Sequence, residues 1–219
     1  LINGDYTLTP SRAGYQFDPP TRSVTVSSAN LTGKDFSGAL LVAYVRQGGN
    51  NNQDGSSWNA AKSSVQQAIK VTAPGGEVWV ASALYYERIT VKGGVALYGG
   101  FLGNETSRDQ RDWRRNPTTL DGNPIVFGIL GLTTGNMVVF EDDSEAPARS
   151  RMDGFNISRG RASSPDRGGG IHCKSRSAPA IANCWIGLNH AIGTGGGIGC
   201  ASSSPTICAS SAAQASAGF

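Results

Sequence analysis

The sequence predicts a solenoid of short parallel β-strands, and the main observation is a near-repeat close to the end of the chain. Residues 168–173 (GGGIHC) return as residues 195–200 (GGGIGC), and a Ser-x-Pro-x-Ile motif follows each copy, at 177–181 and at 203–207. A fixed period in the twenties is typical of units that bury their apolar face only by stacking on the next unit. Gly, Pro and Ser around short apolar runs favour strands over helices.

The composition also predicts a chain rich in strands and turns. Of 219 residues, 30 are glycine, 38% are hydrophobic and only 16% are charged. The formal net charge is +3 and the acidic residues interleave with the basic ones, so a nucleic acid is not an expected partner. No apolar run approaches the ~18 residues of a membrane helix. Because the chain begins at Leu1 without Met, we expect it to be a fragment of a longer protein.

The first 40 residues are expected to form a module of their own. Apolar and polar residues alternate in short runs near Tyr6, Tyr15 and Val24, and Pro and Gly separate these runs. Such a pattern predicts antiparallel strands of a small β-sandwich. Residues 4–36 resemble the carboxypeptidase-regulatory-like (prealbumin-like) modules of secreted bacterial proteins. Since only the later part of such a module is present, residues 1–40 are expected to be a partial β-sandwich.

Residues 59–72 show the one convincing helical pattern in the sequence. One narrow apolar face contains Ala61, Val65, Ala68, Ile69 and Thr72. Asn59 is the expected N-cap, and the Pro-Gly-Gly sequence at 74–76 is expected to end the helix. A solenoid must cover its open end, so this helix is expected to cap the N-terminal end of a stack formed by residues 41–219.

The repeat and a second segment resemble a known family. GGGIxC followed by SxPxI is similar to the repeats of the right-handed parallel β-helix in the pectin-lyase-like superfamily. Residues 93–123 (GGVALYGGFLGNETSRDQRDWRRNPTTLDGN) resemble the first coil of a subgroup of large, secreted bacterial proteins with that fold. The expected fold class is therefore all-β: a right-handed parallel β-helix with an N-terminal capping helix, preceded by a partial antiparallel β-sandwich. The resemblance also implies an extracellular or cell-surface location.

The densest charged stretch, residues 108–115, is the first candidate for a binding site. As a lateral loop it could offer the guanidinium groups of Arg108, Arg111 and Arg114 to acidic sugars. Trp113 would then serve as a platform on which a sugar ring stacks. The alternative is a salt-bridged loop whose Trp113 packs against the body of the protein, and the sequence leaves both interpretations open.

Tyr85 and Tyr86 raise the same question, because neighbouring side chains in a strand point to opposite faces. We expect one tyrosine to point inward and the other outward, where it could stack on a sugar. The predicted carbohydrate-binding residues are Tyr85, Tyr86, Arg108, Arg111, Trp113 and Arg114.

A catalytic set cannot be assembled from the sequence. A glycoside hydrolase needs two carboxyl groups on the order of 5–9.5 Å apart. Asp142 and Asp143 are the only adjacent aspartates, and they lie in an acidic stretch that predicts a solvated turn. The Gly-His-Gly and Arg-Ile-Lys motifs of polygalacturonase-like relatives are missing. Catalytic residues are therefore unassigned, and an enzyme is disfavoured, although a polysaccharide lyase or glycoside hydrolase stays open.

No metal or other cofactor is expected. The loop from Asn50 to Asp54 could suggest calcium, but it lacks the carboxylates of a recognised calcium loop. A zinc site is disfavoured because His172 and Cys173 are adjacent in a strand and point to opposite faces. Cys173 and Cys200 occupy the same position of the repeat, which favours a stack of small buried residues and leaves a disulfide between adjacent strands open.

These observations favour a secreted or cell-surface protein with a structural and binding role. Its expected partner is a polysaccharide or other material of the cell envelope. The alternatives are a polysaccharide lyase or hydrolase whose catalytic groups lie elsewhere, and a structural stalk without a ligand.

Overall fold

The computed structural model describes residues 2–122, 125–126, 129–130, 134–141, 143, 145–146, 148–163, 168–174, 176–193 and 195–208. Within these residues the chain forms one α-helix, one short 3-10 helix and twenty-one β-strands. The strands lie in six sheets, of which three contain four or more strands. Across the same residues, no helix is long and apolar enough to cross a membrane.

The N-terminal strands pair antiparallel, and they belong to two different sheets. β1 (Gly4–Leu8) pairs with β3 (Arg22–Val26) in a two-stranded sheet. β2 (Tyr15–Asp18) pairs instead with β4 (Ser37–Val45). Because β4 also pairs in parallel with β5 (Thr72–Ala81), the expected domain boundary between residues 40 and 41 falls inside one strand.

The α-helix, α1, spans Val65–Val71 and is shorter than the predicted segment. Ser64, not Asn59, is its N-cap: the Ser64 Oγ accepts a hydrogen bond of 3.2 Å from the backbone N–H of Gln67. The Glu87 carboxylate accepts two more backbone N–H groups of the first turn and the Ser64 hydroxyl. These bonds satisfy the backbone N–H donors that the first turn of a helix leaves unpaired. Because Glu87 is distant along the chain, the local sequence pattern could not predict this contact.

The remaining elements follow in chain order. They are β6 (Ala83–Tyr85), β7 (Ile89–Val91), β8 (Ala96–Phe101), the 3-10 helix (Arg108–Gln110), β9 (Thr118–Asp121), β10 (Ile125–Val126), β11 (Ile129–Leu130), β12 (Val138–Phe140), β13 (Arg151–Asp153), β14 (Phe155–Ser158), β15 (Arg161–Ala162), β16 (Ile171–Cys173), β17 (Ala180–Ala182), β18 (Trp185–Gly187), β19 (His190–Ala191), β20 (Ile198–Cys200) and β21 (Thr206–Cys208).

Three large sheets hold most of these strands. The seven-stranded sheet has the order β2-β4-β5-β8-β13-β17-β21, and all of its pairs except β2 with β4 are parallel. Two four-stranded parallel sheets have the orders β6-β9-β14-β18 and β7-β12-β16-β20. Two-stranded sheets pair β1 with β3, β10 with β11, and β15 with β19.

The expected fold class, a right-handed parallel β-helix with a capping helix and a preceding β-sandwich, is wrong. None of the sheets in the described residues forms a solenoid; the strands lie in separate parallel, antiparallel and mixed sheets, beside one α-helix. The largest sheet is mixed, and it joins strands from both predicted modules. The sequence repeat specifies which strands pair and in which register, but pairing alone does not determine how whole sheets are arranged.

The near-repeat does pair in register. Ile171 lies opposite Ile198 and Cys173 lies opposite Cys200 in the parallel pair β16–β20. The triplets before these strands begin with Gly168 at φ +72° and Gly195 at φ +76°, in the left-handed region that favours glycine. The repeated glycines therefore make the turns that bring equivalent strands side by side.

The main apolar core lies between the three large sheets and α1. Its largest fully buried members include Ile69, Leu97, Leu120, Met137, Phe140, Met152, Phe155, Ile157, Ile171 and Ile181. In strands such as β7 and β12, the outer two residues are buried and the middle one is half-buried, as expected when alternate side chains point to one face of a sheet. Burial of this apolar surface is the dominant force that holds the sheets together.

A second, smaller cluster lies on the outer face of the seven-stranded sheet. It contains Trp58, Trp79, Ala81, Tyr98 and Phe101. The rings of Trp79 and Phe101 stack with centroids 4.9 Å apart, and the Trp58 indole donates a 2.9 Å hydrogen bond to the Glu105 carbonyl oxygen. This aromatic cluster forms the surface against which the charged stretch 108–115 packs.

Candidate functional site

Arg108 is held against the outer face of the seven-stranded sheet. Its guanidinium lies 4.7 Å from the centroid of the Tyr98 ring and donates to the Tyr98 hydroxyl oxygen at 3.1 Å. The same group forms an ion pair of 2.5 Å with the Glu77 carboxylate. Arg108 therefore fixes the loop to the sheet, and its role as a sugar ligand stays a prediction.

Arg111 is also occupied within the protein. Its side chain is 13% exposed, and its Nη2 lies 2.7 Å from Asp153 Oδ1. Its Nη1 donates to the Gly99 carbonyl oxygen at 2.9 Å. A guanidinium that is buried and bonded on two sides would have to break these contacts to bind a ligand, so the ligand role of Arg111 stays a prediction.

Asp153 is the centre of the charged network beneath this loop. Its carboxylate accepts hydrogen bonds from Arg111, from Arg151 at 2.5 Å and from the Asn183 amide at 2.9 Å. Burial alone would raise the pKa of Asp153, but the hydrogen bonds from Asn183, Arg111 and Arg151 outweigh it and hold the pKa below its usual value. The carboxylate is therefore ionised and fully engaged at neutral pH.

Trp113 is half-buried, and two glycines allow its close approach to the body of the protein. Gly100, at φ +95°, and Gly154, at φ +80°, are both in the left-handed region. A Cβ atom at Gly154 would lie 2.8 Å from Trp113 Cβ, and one at Gly100 would lie 2.5 Å from Trp113 Cα. The Asp112 carboxylate then bonds the backbone N–H groups of the next two arginines at 3.1 Å each, which fixes the chain after Trp113.

Tyr85 and Tyr86 point in opposite directions, as two neighbours in an extended segment should. Tyr85 is 4% exposed and belongs to the main core, where its hydroxyl donates to the Ala81 carbonyl oxygen at 3.0 Å. Burial raises the pKa of Tyr85 above its ordinary value. Tyr85 therefore lies in the core, whereas Tyr86 is exposed but does not line the groove described next.

Trp113 and Arg114 lie along one side of a surface groove of about 310 Å³. The residues that line it are Trp113, Arg114, Pro117, Asn156, Asn183, Cys184 and Trp185. Two indoles, two amides and one guanidinium thus surround a single cavity. Of the six predicted site residues, only Trp113 and Arg114 are brought together here.

Trp185 stands on the outer face of the four-stranded sheet β6-β9-β14-β18. In the parallel register it lies beside Asn156, which in turn lies beside Thr119. Gly187, two positions after Trp185 on the same face, has no side chain, and a Cβ atom there would lie 2.5 Å from the Trp185 ring. Gly187 therefore lets the indole lie against its own strand and face the groove.

Asn183 lies at the turn before β18 and joins the groove to the charged network. It has φ +52°, a left-handed conformation that Asn tolerates better than most residues. Its Nδ2 donates to Asp153, the residue that also holds Arg111. The position of the groove amide is therefore set by the same buried carboxylate that fixes the charged loop.

Sequence reasoning missed Pro117, Asn156, Asn183, Cys184 and Trp185. A usable signal for Trp185 was the alternation in β18, where Ile186 is buried and the preceding Trp185 must face outward. Its neighbour Asn156 could be found only from the pairing of β14 with β18, which a local pattern does not supply.

In the loop at 50–54, which could suggest calcium, the side-chain ammonium group of Lys62 takes the place of a metal cation. The Lys62 ammonium is buried and donates to the carbonyl oxygens of Asn51, at 2.9 Å, and Gln53. The described part of the chain contains no cluster of three His, Cys, Asp or Glu side chains suited to a metal ion. We therefore assign no metal ligands.

Of the two adjacent aspartates in the acidic stretch, the structure describes Asp143. Asp142 lies outside the described residues. The Asp143 carboxylate is buried and accepts backbone N–H groups of Ser150 at 3.1 Å and Ala178 at 2.9 Å. Asp143 thus holds two segments of the chain together.

Two predicted residues, Trp113 and Arg114, line one groove together with five others. The predicted residues that are buried or ion-paired, Tyr85, Arg108 and Arg111, stabilise the structure that carries the groove. The resemblance to the pectin-lyase-like superfamily and to prealbumin-like modules stays a prediction. No family model, curated protein or solved structure matches this chain.

Proposed function

We propose that this protein acts outside the cell or on its surface and binds carbohydrate in the groove between Trp113 and Trp185. One observation carries the proposal: two indoles, two side-chain amides and a guanidinium line a single groove of about 310 Å³. The extracellular location rests on the resemblance to secreted bacterial proteins.

The groove has the chemistry that a sugar requires. Small-molecule sites are mostly apolar, with a few placed polar groups, and their volumes begin at about 300 Å³. The indoles of Trp113 and Trp185 offer flat apolar surfaces for the C–H faces of sugar rings. The amides of Asn156 and Asn183 supply donors and acceptors for hydroxyl groups. The volume suits a short stretch of one or two rings.

Arg114 favours an acidic sugar over a neutral one. Its guanidinium lies 4.5 Å from the centroid of the Trp113 ring and is exposed. Among the described residues, it has no carboxylate partner, in contrast to Arg108 and Arg111. A planar guanidinium forms paired hydrogen bonds with a carboxylate, so a uronic acid beside Trp113 would be bound by both groups.

The site supports binding more than catalysis. The described residues that line the groove include no carboxylate. Asp153 contacts the groove residue Asn183, but both of its oxygens are engaged by arginines. A general acid needs a carboxyl group that can give up and accept a proton, and an engaged carboxylate with a lowered pKa does not meet that need.

The proposal is tested by calorimetric titration with oligomers of a uronic acid and with neutral glucose oligomers of the same length. Arg114→Gln should weaken binding of the acidic oligomer by roughly tenfold and leave the neutral one nearly unchanged. The matched control is Arg115→Gln, because Arg115 is the neighbouring arginine, 88% exposed and outside the groove. Trp185→Ala should weaken both ligands by roughly tenfold or more.

Three results would contradict the proposal. If neither oligomer binds, a structural stalk without a ligand is favoured. If the oligomers are cleaved during the titration, the protein is a lyase or hydrolase. Unchanged affinities in Trp185→Ala would place binding elsewhere on the surface.

A further inference from the structure

We propose that Cys173 and Cys200 are the site of an oxidative modification: a disulfide that links the neighbouring strands β16 and β20. None of the four cysteines, all of which lie in the described part of the chain, forms a disulfide in the structure. The inference is independent of carbohydrate binding, since neither residue lines the groove.

The two residues are placed for such a bond by strand register. Cys173 and Cys200 are direct partners in a parallel pair, at equivalent positions of the near-repeat. Adjacent strands lie roughly 4.8 Å apart. That spacing is within the range of about 4.4–6.8 Å between the Cα atoms of bridged cysteines. Because the register aligns the two residues, their side chains leave the strands on the same face.

The two thiols also contact each other. The side chains of Cys173 and Cys200 form a hydrogen bond, and Cys173 is also buried. Burial, followed by the neighbouring Cys200 thiol, raises the pKa of Cys173 to about 12. Two thiols within hydrogen-bond reach need only small side-chain rotations to form a bond.

The other cysteines are not paired in this way. Cys208 lies opposite Ala182 in the pair β17–β21. The buried Cys184 directs its thiol at the backbone carbonyl oxygens of Ala182, at 3.1 Å, and Met152, at 3.7 Å. Among the strand pairs of the described residues, Cys173 with Cys200 is the one that joins two cysteines.

Unequal exposure sets the order of the reaction with a disulfide oxidant such as oxidised glutathione. Cys200 is exposed and Cys173 is fully buried, so the Cys200 thiolate attacks the oxidant first. This step breaks the glutathione disulfide, forms a mixed disulfide at Cys200 and releases one glutathione thiolate, which takes up a proton. The Cys173 thiolate then attacks the Cys200 sulfur and releases the second glutathione. Two protein thiols are oxidised and one glutathione disulfide is reduced to two thiols.

The second step should be slow because a buried thiol of raised pKa is rarely ionised at neutral pH. We therefore expect a transient glutathione adduct at Cys200 that converts to the internal disulfide over minutes to hours.

The experiment incubates the folded chain with oxidised glutathione, blocks the remaining thiols with an alkylating reagent, and maps the peptides by mass spectrometry. Trypsin cleaves after Lys174 and Arg176, so it separates Cys173 from the other three cysteines, and chymotrypsin cleaves after Trp185. Cys208→Ser is the matched control, because it removes the other exposed thiol. Cys200→Ser should prevent the link.

The expected result is a link between the peptides of Cys173 and Cys200 in the wild type and in Cys208→Ser, and a rise in melting temperature on the order of 5–10 °C. The proposal is overturned if the glutathione adduct on Cys200 persists without resolution. It is also overturned if the thiols stay reduced, or if the link joins Cys184 or Cys208 instead.

Discussion

The substitution Asp153→Asn is expected to lower the free energy of unfolding by about 2–3 kcal/mol. The Asp153 side chain is 3% exposed, and its carboxylate contacts the guanidinium groups of Arg111 and Arg151. Removal of one partner from a buried ion pair usually costs about 3–5 kcal/mol. Here the cost is smaller because Arg151 is 36% exposed and regains part of its hydration, and because the new amide oxygen still accepts one hydrogen bond.

The matched control is Asp112→Asn, which makes the same chemical change in the same charged region. The Asp112 side chain is 44% exposed, and its ion-pair partner, Arg115, is 88% exposed. The amide oxygen of Asn can keep the two backbone hydrogen bonds that Asp112 accepts. Since an exposed ion pair contributes roughly 0–1 kcal/mol, this variant should be nearly as stable as the wild type.

Thermal and urea unfolding at neutral pH measure the difference between the two variants. The melting temperature of Asp153→Asn should fall by roughly 5–10 °C. If Asp153→Asn is no less stable than Asp112→Asn, the charged network does not hold the loop that carries Trp113.

The pH dependence gives the same substitution a second readout. Hydrogen bonds hold the pKa of Asp153 below its ordinary value in the folded protein, while in the unfolded chain it is about 3.9. A lowered folded pKa means that the stabilisation is complete above the unfolded pKa and is lost as the pH falls through the folded pKa. The gap in stability between wild type and Asp153→Asn should therefore narrow below about pH 4; a gap that widens in acid would contradict the assignment.

Three further substitutions probe the groove, the aromatic cluster and the lysine-filled loop. Gly187→Ala should displace the Trp185 indole and weaken sugar binding several-fold while the protein stays folded. Titration calorimetry measures the affinity and circular dichroism measures the folded state. Unchanged affinity would contradict the role of Gly187. Phe101→Ala should cost about 3–5 kcal/mol in urea unfolding, whereas its neighbour Leu102→Ala, at a residue 70% exposed, should cost under about 1 kcal/mol. Lys62→Met should cost about 1–3 kcal/mol because it removes the donor to two loop carbonyls; equal stability would refute that role of the ammonium.

The sequence was informative where structure is local or repeated. The near-repeat correctly implied that Cys173 and Cys200 share a position, and the two residues are register partners. The alternation rule separated the buried Tyr85 from the exposed Tyr86. Both inferences depend on the period of a strand, which adjacent residues reveal.

The sequence was misleading where contacts between distant segments determine the structure. The helix was expected from residue 59, but it begins after Ser64 because the distant Glu87 carboxylate caps it there. The expected fold class failed since a repeat of paired strands does not specify the arrangement of the sheets, and β4 joins both predicted modules. Arg108 and Arg111 looked available for ligands because their partners, Glu77 and Asp153, are far away in the sequence.

The indole N–H signals in a two-dimensional NMR titration with a uronic acid oligomer test the proposed groove most directly. The chain has four tryptophans, and each can be assigned with a Trp→Phe variant. If the groove binds the oligomer, the signals of Trp113 and Trp185 shift together as ligand is added. Those of Trp58 and Trp79, whose indoles donate to Glu105 and Glu77 inside the protein, should stay in place. Binding that leaves the signals of Trp113 and Trp185 in place would contradict binding in this groove.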